Sequence, residues 1–123
     1  MNVEWLDGPD EKAYAAARSY LSLLVPPGAL PALIGSLPRA PLGTWRAKDI
    51  LRAARLPLLG KHESPEVTES TVNIEEGKPL SPILLVVFSN EAVLHIADGY
   101  HRACAVAHVH EDTLVPGRLY FSS

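Results

Sequence analysis

The residues with the most chemistry to offer lie together: Asp98-Gly99-Tyr100-His101-Arg102. They follow an apolar, β-like run, Val93 to Ile96, and precede an alanine-rich run, Ala103 to Ala107, that favours helix. Gly99 therefore falls at a strand-to-helix turn, where a missing Cβ permits unusual φ/ψ and lets a ligand approach the backbone. The first helical N–H groups have no intrahelical partner, and with the positive end of the helix dipole they form a seat for an anion. Arg102 adds a planar fork suited to phosphate oxygens, and His101 a ring able to move a proton near neutral pH. The plainer reading has Asp98 capping the helix, Gly99 making the turn and Arg102 pairing with a surface carboxylate. Neither a G-x-G-x-x-G nor a Walker pattern is present, so these residues alone leave both readings open.

Positioning such a turn needs a sheet and a helix. Pro82 to Phe88 is short, apolar and β-rich, as a central strand covered on both faces would be. Ser89-Asn90-Glu91 turns it into the run before Asp98, which suggests an antiparallel hairpin. A helix from about Tyr100 to His110 and a strand from Leu114 to Phe121 follow, with Pro116 expected to place the strand at an edge or make it irregular. Upstream, Ser64-Pro65-Glu66 reads as N-cap, first-turn proline and dipole-matching carboxylate of a helix with Val67, Thr71 and Ile74 on one face and Gly77 as C-cap. Its β-branched residues would also suit a strand. Thr44 is expected to cap a helix reaching Leu56, with Lys48, Arg52 and Arg55 on one side, a basic segment that includes Arg39, Arg46 and Lys61 nearby.

Residues 1–43 read as a helical, proline-rich N-terminal extension: a helix from about Pro9 to Leu24, a short one near Ala32 to Leu37, and prolines between. It either packs on the domain formed by residues 44–123 or offers an apolar surface for a protein partner or self-association. The fold class expected is α+β, a small mixed sheet with packed helices.

The whole is 123 residues with 11 basic and 14 acidic side chains and a net charge of −3, which lacks the positive field of a sequence-independent nucleic-acid binder. Cys104 is the single cysteine, excluding an internal disulfide and fitting a reducing cytoplasm. Its alanine-rich surroundings imply burial and an unreactive thiol. No basic-then-apolar leader and no run of membrane-spanning length is visible, so the expected location is cytoplasmic. His101, Cys104 and His108 lean to one side of a helix, but two turns separate the histidines, and no metal ligands are assigned.

The order of these pieces, from about Ser64 to Tyr120, resembles the ParB/sulfiredoxin superfamily. The proline-led helix with Val67 and Ile74, the Ser81-Pro82-Ile83 strand, the Asp98-to-Arg102 signature, the alanine-rich helix and the closing Val115-Pro116 strand occur in its sequence of elements. The resemblance implies that Gly99, Tyr100, His101 and Arg102 meet the phosphates of a nucleotide, ATP or CTP, with Lys61 as a further contact. It also implies that Asp98 orients Arg102 or a magnesium ion. Members of the superfamily reduce cysteine sulfinic acid, form CTP-dependent partition clamps or phosphorylate free serine. Sulfinic acid reduction needs a cysteine where this chain has Tyr100, and no helix-turn-helix reader follows Tyr120, which argues against sequence-specific DNA binding. The expected function is binding of a nucleotide or phosphorylated small molecule. If catalysis occurs, it would be phosphoryl transfer or nucleotide hydrolysis, with His101 and Asp98 as catalytic groups. One carboxylate of the stretch Glu63, Glu66, Glu69, Glu75 and Glu76 could act as base or magnesium ligand, although a solvated face explains it too. The alternative is a non-catalytic interaction or regulatory module that retains the fold.

Overall fold

Alternation along Ile83–Phe88 decides the architecture. Ile83 and Leu85 belong to one buried cluster, Leu84 and Val86 to another, so this strand has core on both faces. The computed structural model describes residues 2–123. It is a mixed α+β fold with α1 (Glu11–Leu21), α2 (Leu30–Ser36), a 3-10 turn (Leu37–Arg39), β1 (Leu42–Arg46), α3 (Ala47–Ala53), α4 (Pro65–Glu75), β2 (Ile83–Phe88), β3 (Leu94–Asp98), α5 (Tyr100–Val109) and β4 (Leu114–Ser122). The four strands lie in the order β1-β4-β2-β3. β2 runs antiparallel to β3 and parallel to β4, and β4 runs antiparallel to β1. No described helix is long and apolar enough to cross a membrane.

Helices α3, α4 and α5 pack on the face carrying Ile83, Leu85, Ile96 and Val115. On the opposite face Ala13, Ala17 and Leu21 of α1 and Leu30 and Leu33 of α2 cover Leu84, Val86 and Ala97. The N-terminal extension thus supplies half of the sheet's covering layer. Removing a side chain such as Leu84 from water contributes roughly 1.5–3 kcal/mol, which a sheet with one bare face would forgo. Asp10 caps α1 by accepting from the Ala13 amide at 2.9 Å.

Two expectations are corrected. Thr44 caps no helix: it lies in β1 opposite Pro116, and α3 begins only at Ala47. The reason is tertiary, because the Ala47 and Lys48 amides donate to the carbonyls of Thr113 and Glu111, partners far along the chain. The basic face divides accordingly. Lys48 pairs with Asp112 at 2.9 Å, Arg52 lies 3.7 Å from Asp49, and Arg55 sits beyond the helix with φ 57°. Nor does Pro116 put its strand at an edge, for β4 lies between β1 and β2. Pairing with β2 begins at Gly117, so on that side Pro116 precedes the ladder.

Candidate functional site

β3 reaches the turn through an irregularity. Leu85 faces Ile96 and Leu84 faces Asp98, so Ala97 is the extra residue of a bulge immediately before the signature. Bulges bend a strand and re-aim its next side chains. Gly99 then adopts φ 115°, ψ 11° and starts α5 without any side-chain cap. A Cβ at Gly99 would stand 2.2 Å from Ile83 Cγ2, and one at Gly117 would stand 2.9 Å from Ile83 Cγ1. Ile83 is therefore wedged between two glycines, one on each neighbouring strand or turn, and that close fit fixes where α5 begins.

The helix start opens into a polar cleft of about 500 Å³, lined by Asp98, Gly99, His101 and Arg102 on one side and Glu66, Glu69, Ser70 and Asn73 of α4 on the other. Asp10, Lys12 and Ser81 close one end. Arg102 Nη2 donates to Asp98 Oδ2 at 2.7 Å, with the two side chains 21% and 15% exposed. Asp98 is thus the partner of the guanidinium and does not cap α5. The guanidinium is held from one side only, and its buried Nε has no hydrogen-bond partner among the described residues. Across the cleft the Ser64 hydroxyl holds the Glu66 carboxyl below the usual carboxylate range, helped by Glu66's own backbone amide and by the charge of His101.

Two residues anticipated at this site are elsewhere. Tyr100 turns away, its hydroxyl donating to the Pro57 carbonyl at 2.6 Å, and burial raises its phenol pKa. Lys61 lines a separate recess with Thr71, Glu75 and His108, whose Nε2 donates to the Leu59 carbonyl. The sequence brought Asp98, Gly99, His101 and Arg102 together by adjacency. It missed Lys12, Asp10 and Ser81, which only folding brings in from the extension and from the chain before β2. The α4 wall carried a signal, since Glu66, Glu69, Ser70 and Asn73 recur at i, i+3, i+4 and i+7.

The chain matches no known protein family, curated protein or solved structure. What the cleft can do rests on its own geometry.

That geometry is bipolar. The α5 end carries Arg102, His101 and three backbone amides at the start of the helix, while Glu66 and Glu69 face them from α4. Counting Asp10 and Asp98 as well, the lining has four carboxylates against the permanent cations Lys12 and Arg102. A free phosphate would meet attraction at one wall and repulsion at the other. A phosphate accompanied by a divalent cation suits both, because magnesium takes one or two carboxylates together with phosphate oxygens and waters. No group of three or more His, Cys, Asp or Glu side chains is placed to hold a metal by itself among the described residues.

Proposed function

We propose that this cleft binds the phosphate chain of a nucleotide, ATP or CTP, or of another phosphorylated small molecule, together with magnesium. In this reading the domain has a ParB/sulfiredoxin-like fold and works in the cytoplasm. The observation that carries the reading is the opening of the uncapped α5 N-terminus into a cleft that also receives the half-engaged Arg102 guanidinium. Backbone amides and a fork presented together are the donors that phosphate oxygens require. Asp98 acts as a positioning residue that fixes Arg102, and Lys12 adds a mobile charge at the mouth. Glu66, kept ionised, and Glu69 attract the accompanying cation.

If the bound phosphate is transferred or hydrolysed, Arg102 and His101 neutralise charge as it develops on the phosphoryl oxygens. A carboxylate of α4 then accepts the proton of the attacking hydroxyl or water. Titration calorimetry with ATP, CTP and ADP, each with and without magnesium, tests the proposal. The expected result is binding that depends on magnesium and is lost in Arg102→Ala, a variant whose folding is checked by circular dichroism. Heats equal to dilution for every nucleotide in both conditions overturn it.

A further inference from the structure

A further recess, sharing no lining residue with the cleft, runs along the outer edge of β3. It measures about 400 Å³ and is lined by Tyr20, Ala54, Leu56, Tyr100 and the consecutive residues Val93–Ile96. Successive strand side chains point to opposite faces, and here they do: Leu94 and Ile96 belong with the α5-side core, while His95 meets Tyr20 of α1. A hollow touching four consecutive residues of both orientations lies off the strand's edge, where its backbone groups point. β3 has β2 as its only neighbour in the sheet, and outside that ladder no backbone hydrogen bond involves residues 93–97 among the described residues.

The walls of this edge are built, not loose. The Tyr20 hydroxyl bonds His95 Nδ1 at 2.9 Å, and His95 Nε2 bonds Glu91 at 2.9 Å, while the Phe88 ring packs against the imidazole in a T-shaped arrangement. On the other side the Tyr100 hydroxyl is tied to Pro57. Two tyrosines with occupied hydroxyls line the recess beside the strand's unpaired edge, and Leu56, 39% exposed, lines it from the segment after α3.

The geometry points to an extended segment of a partner protein that enters this recess and adds a fifth strand beside β3. Alternating N–H and C=O groups at an edge match only another extended backbone, and the apolar walls take the apolar side chains of that backbone. The stretch Val93–Ile96 spans roughly 13 Å at about 3.4 Å per residue, room for one short strand. A second copy of this chain is the poorer occupant, since its own β3 lies recessed behind the same tyrosine walls, and two such edges would meet wall to wall before backbone to backbone. The tied hydroxyls fix the rings before binding, so little side-chain freedom is lost when the segment enters. The inference is independent of the phosphate reading.

The test is selection of a displayed library of extended peptides, about six residues long with alternating apolar and polar side chains, against the full chain. The enriched peptide is then synthesised in two N-methylated forms, each blocking alternate amides. Strand addition predicts slowed hydrogen exchange at β3 amides on binding, loss of binding for one methylated form and retention for the other, because only alternate amides face the edge. Leu56→Glu should weaken binding about tenfold, or about 1.4 kcal/mol, with an unchanged melting temperature. Failure to enrich any peptide, equal effects of both methylated forms, or protection confined to another surface overturns the inference. So does a dimer in light scattering whose β3 amides are already protected, which would assign the edge to a second copy.

Discussion

Replacing Gly99 by alanine separates the demand of the turn from the demand of the ligand. The new methyl would meet Ile83 Cγ2 at 2.2 Å and Ile83 Cβ at 2.7 Å, and it would sit on a backbone with φ 115°. Holding a non-glycine residue in so sparsely populated a region costs about 1–3 kcal/mol. Forcing a methyl into a packed contact costs about 1–3 kcal/mol more. The sum, roughly 2–6 kcal/mol, is a large share of the 5–15 kcal/mol that stabilises an ordinary domain. Urea unfolding followed by fluorescence of Trp5 and Trp45, which both pack against the core, reads the loss. The steric part is isolated by Ile83→Ala, itself expected to cost about 2–5 kcal/mol because Ile83 is fully buried. In the double variant the clash with Cγ2 is gone, so its loss should fall short of the sum of the single losses by about 1 kcal/mol or more. Gly28, with open space around it and no positive φ, is the control, and Gly28→Ala should stay within about 1 kcal/mol of the parent. A Gly99→Ala loss under about 0.5 kcal/mol, or strict additivity in the double variant, would refute the claim that Ile83 and the left-handed turn fix the start of α5.

Three further outcomes are expected. Ser64→Ala removes the α4 N-cap and should cost about 1 kcal/mol, while the Glu66 carboxyl, released from the hydroxyl, should titrate at a higher pH than in the parent when followed by NMR. Asp98→Asn leaves the part-buried Arg102 guanidinium without its carboxylate and should cost about 1–3 kcal/mol in urea unfolding; an unchanged midpoint would mean that the pair contributes nothing. Burial pushes the Cys104 thiol above its ordinary pKa, so the folded chain keeps its proton where the unfolded chain loses it. Its contribution to stability should be complete below about pH 8.5, the unfolded thiol's value, and should decline as pH rises further. A chromogenic disulfide reagent at pH 8 should react only on unfolding, and rapid reaction with native protein would contradict the burial.

The local grammar of the chain was legible where neighbours in sequence are also the physical partners. Ser64-Pro65-Glu66 starts α4, Gly77 follows its end with φ 73°, and the β2–β3 hairpin and the glycine before α5 stand where turn chemistry and apolar runs put them. Thr44 misled because α3 finds its first acceptors in Glu111 and Thr113, and no local window contains those carbonyls. Pro116 misled because the usual cost of proline inside a sheet is avoided by where a neighbouring strand begins to pair, a matter of register.

By itself the sequence determined where the turn falls, since Asp98 to Arg102 are consecutive and stand at the end of one element and the start of the next. Tertiary structure decided the company they keep. It set the α4 carboxylates opposite them, brought Lys12 and Asp10 from the extension, and sent Tyr100 and Lys61 to other recesses. It also placed α1 and α2 on the sheet, because Leu84 and Val86 need apolar cover on a face that α3, α4 and α5 cannot reach. Adjacency along a chain is written in the sequence, whereas adjacency across a core depends on which buried surfaces find each other.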